Sequence, residues 1–138
     1  MQPYVEHANI TVRHLENTIR FLQTAIPEFS VRHQGQQPTY RWCHIGTDAT
    51  YLALQEVIER DQIDRHPYRD LGINHIGLVV EDILQVRARL LDAGYRENDL
   101  ETDHPWRKRA YFFDQDGIEW EFIQYLSDDP VQRNDYSL

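Results

Sequence analysis

An internal repeat constrains this 138-residue chain more than any other feature of its sequence. When the sequence is shifted by 68 residues, the segment Glu6 to Val12 (EHANITV) aligns without a gap with Asn74 to Val80 (NHIGLVV). The same shift superimposes three pairs of residues: His7 on His75, Asp48 on Asp116, and Ala53 on Glu121. The repeat predicts two copies of one folding unit, with equivalent strands carrying equivalent positions.

Each copy is predicted to contain a strand, a helix and three further strands. The first strand of the first copy, Val5 to Val12, alternates polar and apolar residues, which is typical of a strand with one exposed face. The helices are predicted over about His14 to Ala25, with Pro27 beyond its end, and from about Asp82 to a C-terminal cap at Gly94. The remaining strands are predicted near Ser30 to His33, Tyr40 to Ile45, Thr50 to Gln55, Ile73 to Val80, Tyr95 to Glu97, Arg107 to Phe113 and Ile118 to Tyr125.

These elements predict one structural domain built from two modules. The first module spans residues 1–57 and the second spans residues 73–126, and a charged linker over residues 58–72 joins them. The C-terminal tail, residues 127–138, is the only part of the sequence that looks disordered.

The composition narrows the classes of partner. The net charge of −9 argues against a general binder of nucleic-acid backbones, and no apolar run approaches the length of a membrane span. The single cysteine, Cys43, excludes an internal disulfide and is typical of a reducing cytoplasm. We therefore expect a cytoplasmic protein that acts on a small molecule, without nucleic acid or membrane as a partner.

Two histidines and a carboxylate occupy the most suggestive positions of the repeat. His7 and His75 lie at the same point of the first strand of each copy, and Glu121 lies in the last strand of the second copy. Imidazole and carboxylate groups are suitable ligands for a divalent metal such as Fe, Mn, Zn or Ni. The sequence therefore predicts a metal site formed by His7, His75 and Glu121.

Three motifs resemble those of the vicinal oxygen chelate superfamily, which includes glyoxalase I, bleomycin-resistance proteins and extradiol dioxygenases. They are EHANITVRHLENTIRFL, NHIGLVVEDI and YFFDQDGIEWEF, and the resemblance covers the chain from Tyr4 to about Tyr125. It implies an α+β fold in which two βαβββ repeats form an open, partly closed mixed β-barrel cleft. It also implies metal ligands at the positions of His7, Ala53, His75 and Glu121.

Ala53 is a departure from that pattern, because alanine cannot bind a metal. Gln55 points to the same face as Ala53 and is a possible fourth ligand, although it lies about 6.6 Å further along the strand. The remaining set of two histidines and one glutamate resembles that of extradiol dioxygenases and fosfomycin-resistance thiol transferases.

Several further residues are candidates for the site. Glu121 and Tyr111 are predicted to be catalytic, and Arg109, Trp106 and Asn9 are predicted to bind substrate. Each has a simpler alternative: Tyr111 and Trp106 could pack in the core, and Arg109 could lie on an exposed strand edge. Glu119 is expected to be a solvated strand end in preference to an outer partner of the metal site.

The resemblance implies a metal-dependent enzyme acting on a small molecule with adjacent oxygens, by dioxygenase-like or glyoxalase- and lyase-like Lewis-acid chemistry. The alternatives are a non-catalytic drug-binding protein of the bleomycin-resistance type and a thiol transferase of the fosfomycin-resistance type. A homodimer is expected, because each βαβββ copy leaves a sheet face or edge uncovered.

Overall fold

The structure of the protein is a computed structural model that describes residues 1–59, 64–100 and 103–137. It divides into two compact units, Met1–Asp64 and Arg65–Leu138. Residues 60–63 of the predicted linker and residue 138 of the predicted tail lie outside the described residues. Over the described residues, no helix is long and apolar enough to cross a membrane.

The first unit is a four-stranded mixed sheet with one helix. Its elements are β1 (His7–Val12), α1 (Leu15–Ala25), β2 (Ser30–Gln36), β3 (Tyr40–Gly46) and β4 (Tyr51–Val57). The strand order is β1-β4-β3-β2, with β1 and β4 parallel and the other pairs antiparallel. Helix α1 covers one face of this sheet because its buried stripe includes Phe21 and Leu22, which share a core with Cys43, Ile45 and Leu54.

The second unit repeats this arrangement and adds a short helix. Its elements are β5 (His75–Val79), α2 (Ile83–Asp92), β6 (Arg96–Asn98), β7 (Arg107–Phe113), β8 (Glu119–Tyr125) and α3 (Pro130–Arg133). The strand order is β5-β8-β7-β6, with β5 and β8 parallel. The core between α2 and the sheet contains Val86, Leu90, Phe112, Trp120 and Phe122.

Local signals explain the ends of α2. The Asp82 carboxylate accepts hydrogen bonds from the backbone N–H groups of Leu84 and Gln85, which have no partner inside the helix. At the other end Gly94 adopts a left-handed conformation (φ 85°), which a residue without a side chain reaches at no steric cost. Both helix ends agree with the prediction from sequence.

The sheet registers confirm the 68-residue repeat. In the first unit His7 lies opposite Tyr51 and Asn9 lies opposite Ala53. In the second unit the residues 68 positions later, His75 with Glu119 and Gly77 with Glu121, are paired in the same way. The predicted fold of two βαβββ repeats is therefore correct, and each sheet is open rather than closed into a barrel of its own.

The repeat has one offset, which lies in the third strand of each unit. His44 pairs with Ala53, whereas Tyr111 pairs with Glu121, so β3 and β7 are related by 67 residues. The cause is the hairpin between the last two strands, which has four residues (47–50) in the first unit and five (114–118) in the second. The structural counterpart of Tyr111 is therefore His44 rather than Cys43.

The expectation of a disordered tail is wrong for the described residues. Asp129 caps α3 by accepting a hydrogen bond from the backbone N–H of Val131. Beyond the helix, the guanidinium of Arg107 donates to the backbone carbonyls of Arg133 and Asp135. The tail is ordered because it satisfies this largely buried arginine.

Candidate functional site

The second unit brings three of the predicted site residues together. His75 on β5, Tyr111 on β7 and Glu121 on β8 share the sheet face opposite α2, because their alternate neighbours Phe112, Trp120 and Phe122 fill the core. The Nε2 atom of His75 lies 3.1 Å from Oε2 of Glu121. The neighbouring position on β5 is Gly77, whose missing side chain leaves room beside this carboxylate.

Tyr111 fixes the second oxygen of Glu121. Its hydroxyl donates to Oε1 at 2.8 Å, and the tyrosine is buried. Burial, followed by the hydrogen bond to Glu121, raises the pKa of Tyr111 to about 12. Tyr111 is therefore a neutral phenol that holds the carboxylate with Oε2 directed at His75.

The other nitrogen of His75 is also engaged. The hydroxyl of Tyr68 lies 3.0 Å from Nδ1 of His75 and donates to Oε2 of Glu119 at 2.5 Å. The remaining oxygen of that carboxylate, Oε1, accepts from Nδ2 of Asn98 at 2.7 Å. The hydrogen bond to Glu119 is the main cause that raises the pKa of Tyr68 to about 12. We call His75, Tyr68, Glu119 and Asn98 the histidine relay.

The direction of the relay follows from counting protons. The Tyr68 hydroxyl has one proton, and it is directed to Glu119, so its oxygen must accept from Nδ1–H of His75. This inference assigns the Nδ1–H tautomer to neutral His75 and leaves a lone pair on Nε2. That lone pair faces Oε2 of Glu121, and two acceptors at 3.1 Å repel unless a proton or a metal cation lies beside them.

This pair fits the geometry of a metal site. Ligand atoms at about 2.1 Å from an ion, bound at right angles, lie about 3 Å apart, which matches the His75–Glu121 separation. The outer partners of both ligands are also present, in Tyr68 for the imidazole and Tyr111 for the carboxylate. Taken by itself, neither unit gathers three or more His, Cys, Asp or Glu residues suited to an ion among its described residues.

Glu119 is a correction to the expectation from sequence. It is 4% exposed and accepts two hydrogen bonds, so it is not a solvated strand end. Sequence reasoning also missed Tyr68, which falls in the predicted linker, and Asn98, which ends a three-residue strand. An alternation of Glu119 with the buried Trp120 indicated the face of Glu119, but nothing in the sequence indicated its partners.

Arg109 and Trp106 lie at different places along β7. Arg109 is on the site face of a central strand, so the alternative of an exposed edge is wrong. A hydrogen bond and positive charge from Arg109 are smaller influences that lower the pKa of Tyr111. Trp106 lies just before the strand, and its carbonyl accepts from the backbone N–H of Leu126.

The first unit presents the other predicted site residues on the sheet face opposite α1. His7 stacks on Tyr51, with ring centroids 4.8 Å apart, and its Nδ1 lies 2.9 Å from Oε2 of Glu6. Ala53 is buried between Asn9 and His44, its partners on the two neighbouring strands. Gln55 occupies the next position on that face, opposite Thr11 and Trp42.

Aromatic and imidazole rings continue across this face in a row. The row, which we call the ring cluster, comprises His7, Tyr51, His44, Trp42 and His33. The guanidinium of Arg32 lies 4.4 Å from the centroid of the Tyr51 ring. Burial, followed by the positive charges of His7 and Arg32, lowers the pKa of His44 and favours its neutral form.

Comparisons with known proteins agree with this architecture. The family model described as the glyoxalase/bleomycin resistance protein/dioxygenase superfamily matches residues 4–122. The chain therefore belongs to that superfamily. A search of curated proteins found no significant match.

Solved structures share the fold at low sequence identity. A glyoxalase/bleomycin resistance protein/dioxygenase domain from Frankia sp. is 21% identical, with a TM-score of 0.74 over 91% of this chain and 99% of that one. The fosfomycin resistance protein FosX from Listeria monocytogenes, in complex with Mn(II) and sulfate, is 17% identical, with a TM-score of 0.69 over 96% of this chain and 98% of that one. The trypanothione-dependent glyoxalase I of Leishmania major is 20% identical, with a TM-score of 0.66 over 89% and 87% of the two chains.

Proposed function

We propose that this protein is a metal-dependent enzyme whose substrate is a small molecule with two adjacent oxygens. The observation that carries the proposal is the pair formed by His75 Nε2 and Glu121 Oε2, 3.1 Å apart. Each member of the pair is oriented by a tyrosine hydroxyl, which is the outer-shell support that metal ligands in proteins commonly have. A pair of this kind supports a metal site better than a packing role.

His75 and Glu121 would hold a divalent ion, with His7 as the third ligand from the same chain or from a second copy. The case for His7 is its place in the repeat, since it is the counterpart of His75 in the register of the first sheet. Such an ion would supply Lewis-acid polarisation of a bound oxygen. Three protein ligands of this type suit Fe, Mn, Zn or Ni.

The protein's own residues would divide the remaining work. Tyr111 holds Oε1 of Glu121, so it sets the direction in which that carboxylate can bind or accept a proton. Arg109 shares the face and offers positive charge to an anionic substrate. On the first unit, Asn9 would contribute a polar contact from the exposed face of β1, and Trp106 would wall the substrate pocket.

The most direct experiment measures metal stoichiometry and affinity in the purified protein after chelation and reloading. His75→Ala and Glu121→Gln should each abolish stoichiometric binding, and His7→Ala should weaken it by at least about tenfold. His14→Ala is the matched control, because His14 is exposed and its side chain caps no backbone group of α1. Equal binding in all four variants would contradict the proposal.

A second candidate function is binding of a planar small molecule without turnover. The ring cluster favours it, because its rings lie on a sheet face that α1 leaves open and Arg32 adds positive charge. Tight binding of an aromatic anion by the metal-free protein, abolished by Tyr51→Ala and unaffected by His75→Ala, would favour this function over the enzyme.

A further inference from the structure

Tyr68 has an unusual backbone conformation for a residue with a side chain. Its φ is 65°, and it is the single non-glycine residue with positive φ in the described part of the chain. A Cβ atom is disfavoured in this left-handed region, so the surrounding structure must hold Tyr68 there. Such conformations are concentrated where a side chain has to be aimed at a particular target.

Two residues hold the segment around Tyr68. The Asn74 side chain accepts from the backbone N–H of Tyr68 at 2.6 Å and from Nη2 of Arg65 at 3.2 Å. The same guanidinium donates to the carbonyls of Asp70, Leu71 and Ile73, at 3.3, 3.2 and 2.6 Å. One arginine therefore organises the turn from residue 65 to residue 74, which leads directly into β5.

The turn delivers the Tyr68 hydroxyl to two groups at once. The backbone of Tyr68 is exposed on the surface with much of its ring, yet its hydroxyl contacts both Nδ1 of His75 and the buried carboxylate of Glu119. Asn98 satisfies the second oxygen of that carboxylate, so Glu119 can only receive the Tyr68 proton on the first. A buried carboxylate that needs a donor thus dictates which way the hydroxyl points.

We propose that Tyr68 is a positioning residue that sets the tautomer of His75. The carboxylate of Glu119 takes the hydroxyl proton, the hydroxyl oxygen takes Nδ1–H of His75, and Nε2 is kept as a lone pair directed at Glu121. The effect on the tautomer stands on these contacts alone. Its effect on metal binding rests on the function proposed above.

The test measures the His75 tautomer by nitrogen NMR in the metal-free protein, at an alkaline pH where imidazoles are neutral. The wild type should be in the Nδ1–H form. Tyr68→Phe keeps the ring and removes the hydroxyl, so it should give a mixture of tautomers and weaken metal binding by about 10- to 100-fold. Tyr95→Phe is the matched control, because the Tyr95 hydroxyl bonds only an exposed Gln115 side chain among the printed contacts of the second unit.

Glu119→Gln gives the sharper prediction, because it should reverse the relay. The glutamine oxygen would keep the bond from Asn98, and its amide nitrogen would face the Tyr68 oxygen. The hydroxyl proton of Tyr68 would then be donated to Nδ1 of His75. We expect the Nε2–H tautomer, which cannot bind a metal through Nε2.

The outcomes separate this proposal from the function on which it rests. A tautomer of His75 that is Nε2–H in the wild type, or that neither variant changes, would overturn the positioning role even if metal binds. The expected tautomers in a protein that binds no metal would support the positioning role and contradict the proposed function. Circular dichroism of each variant shows that the fold is retained.

Discussion

Ala53 and Glu121 occupy the same register position in the two sheets, yet one carries a methyl group and the other a carboxylate. Each lies on the last strand of its unit, opposite Asn9 or Gly77 on the parallel neighbour. Across the antiparallel neighbour they face His44 and Tyr111. The two units therefore share a scaffold but differ in the one group that could bind a cation.

The first prediction restores that group. Ala53→Glu should tighten metal binding by about tenfold or more, because it completes the four-ligand set implied by the family pattern. It should also lower any activity that needs two open coordination positions. Because Ala53 is 4% exposed, the new carboxylate should lower the melting temperature of the metal-free protein, and added metal should restore it. Ala53→Met, which adds bulk without a ligand, is the control and should show no recovery. Coordination of the metal by Gln55 in a holo structure would contradict the prediction.

The second prediction concerns the buried carboxylate of Glu119. Asn98→Ala removes the donor to Oε1, so it should lower the free energy of unfolding by about 1–3 kcal/mol. Urea denaturation of the metal-free protein measures this loss. The exposed Asn17→Ala, on α1, is a suitable comparison and should cost less than about 1 kcal/mol. An equal loss in the two variants would show that the Asn98 hydrogen bond is unimportant.

Cys43 supplies a prediction about pH. Burial raises the pKa of its thiol to about 11 from a model value of 9.0, so the folded protein favours the protonated form. A raised pKa in the folded state stabilises it fully below the unfolded value, and that contribution is lost as the pH rises from about 9 to about 11. The denaturation midpoint of the wild type should therefore fall more steeply over this range than that of Cys43→Ala. Parallel pH profiles for the two proteins would refute the prediction.

The same burial should make Cys43 unreactive. It is 0% exposed, and its thiolate is scarce at neutral pH, so alkylation by iodoacetamide should require opening of the first unit. We expect labelling in native buffer to be slower than in denaturant by at least about a hundredfold. Rapid labelling of the folded protein would contradict the assignment of Cys43 to the core.

The fourth prediction concerns assembly. A homodimer should sediment at twice the chain mass of 16.5 kDa, with an interface above about 1,000 Å². Co-expression of His7→Ala with His75→Ala then asks which chains form each metal site. If the histidines of one site come from two chains, the mixed dimer keeps one intact site, whereas sites formed within one chain are all broken. A monomer at micromolar concentration would refute the dimer.

Much of the fold could be predicted because its signals are local and repeated. The alternation in β1, the capping residue Asp82 and Gly94 each report on backbone conformation within a few residues. The pairing of β5 with β8 followed from the same shift that aligns their sequences, so His75, Glu121 and Tyr111 could be assigned to one face. These are the parts of the site that strand periodicity alone determines.

The outer parts of the site could not be predicted, because they depend on tertiary contacts of residues without a periodic signal. Tyr68 reaches His75 only because Arg65 and Asn74 hold an irregular turn in a left-handed conformation. Glu119 is buried because Tyr68 and Asn98 meet it from outside its own strand. A glutamate at a strand end otherwise favours solvent, which is why the simpler expectation was wrong.

The extra residue in the hairpin from 114 to 118 has a consequence for engineering and for comparing the two halves. Side chains alternate along a strand, so inserting or removing one residue before a fixed partner strand exchanges the two faces of the strand that slides. Deleting a residue here and keeping the fixed 68-residue spacing would turn Ala110 and Phe112 out of the core and bury Tyr111 beneath α2. Substitutions copied between the halves therefore need a spacing of 68 residues on the outer strand pairs and 67 on β3 and β7. A uniform alignment would send core chemistry to the working surface and working-surface chemistry to the core.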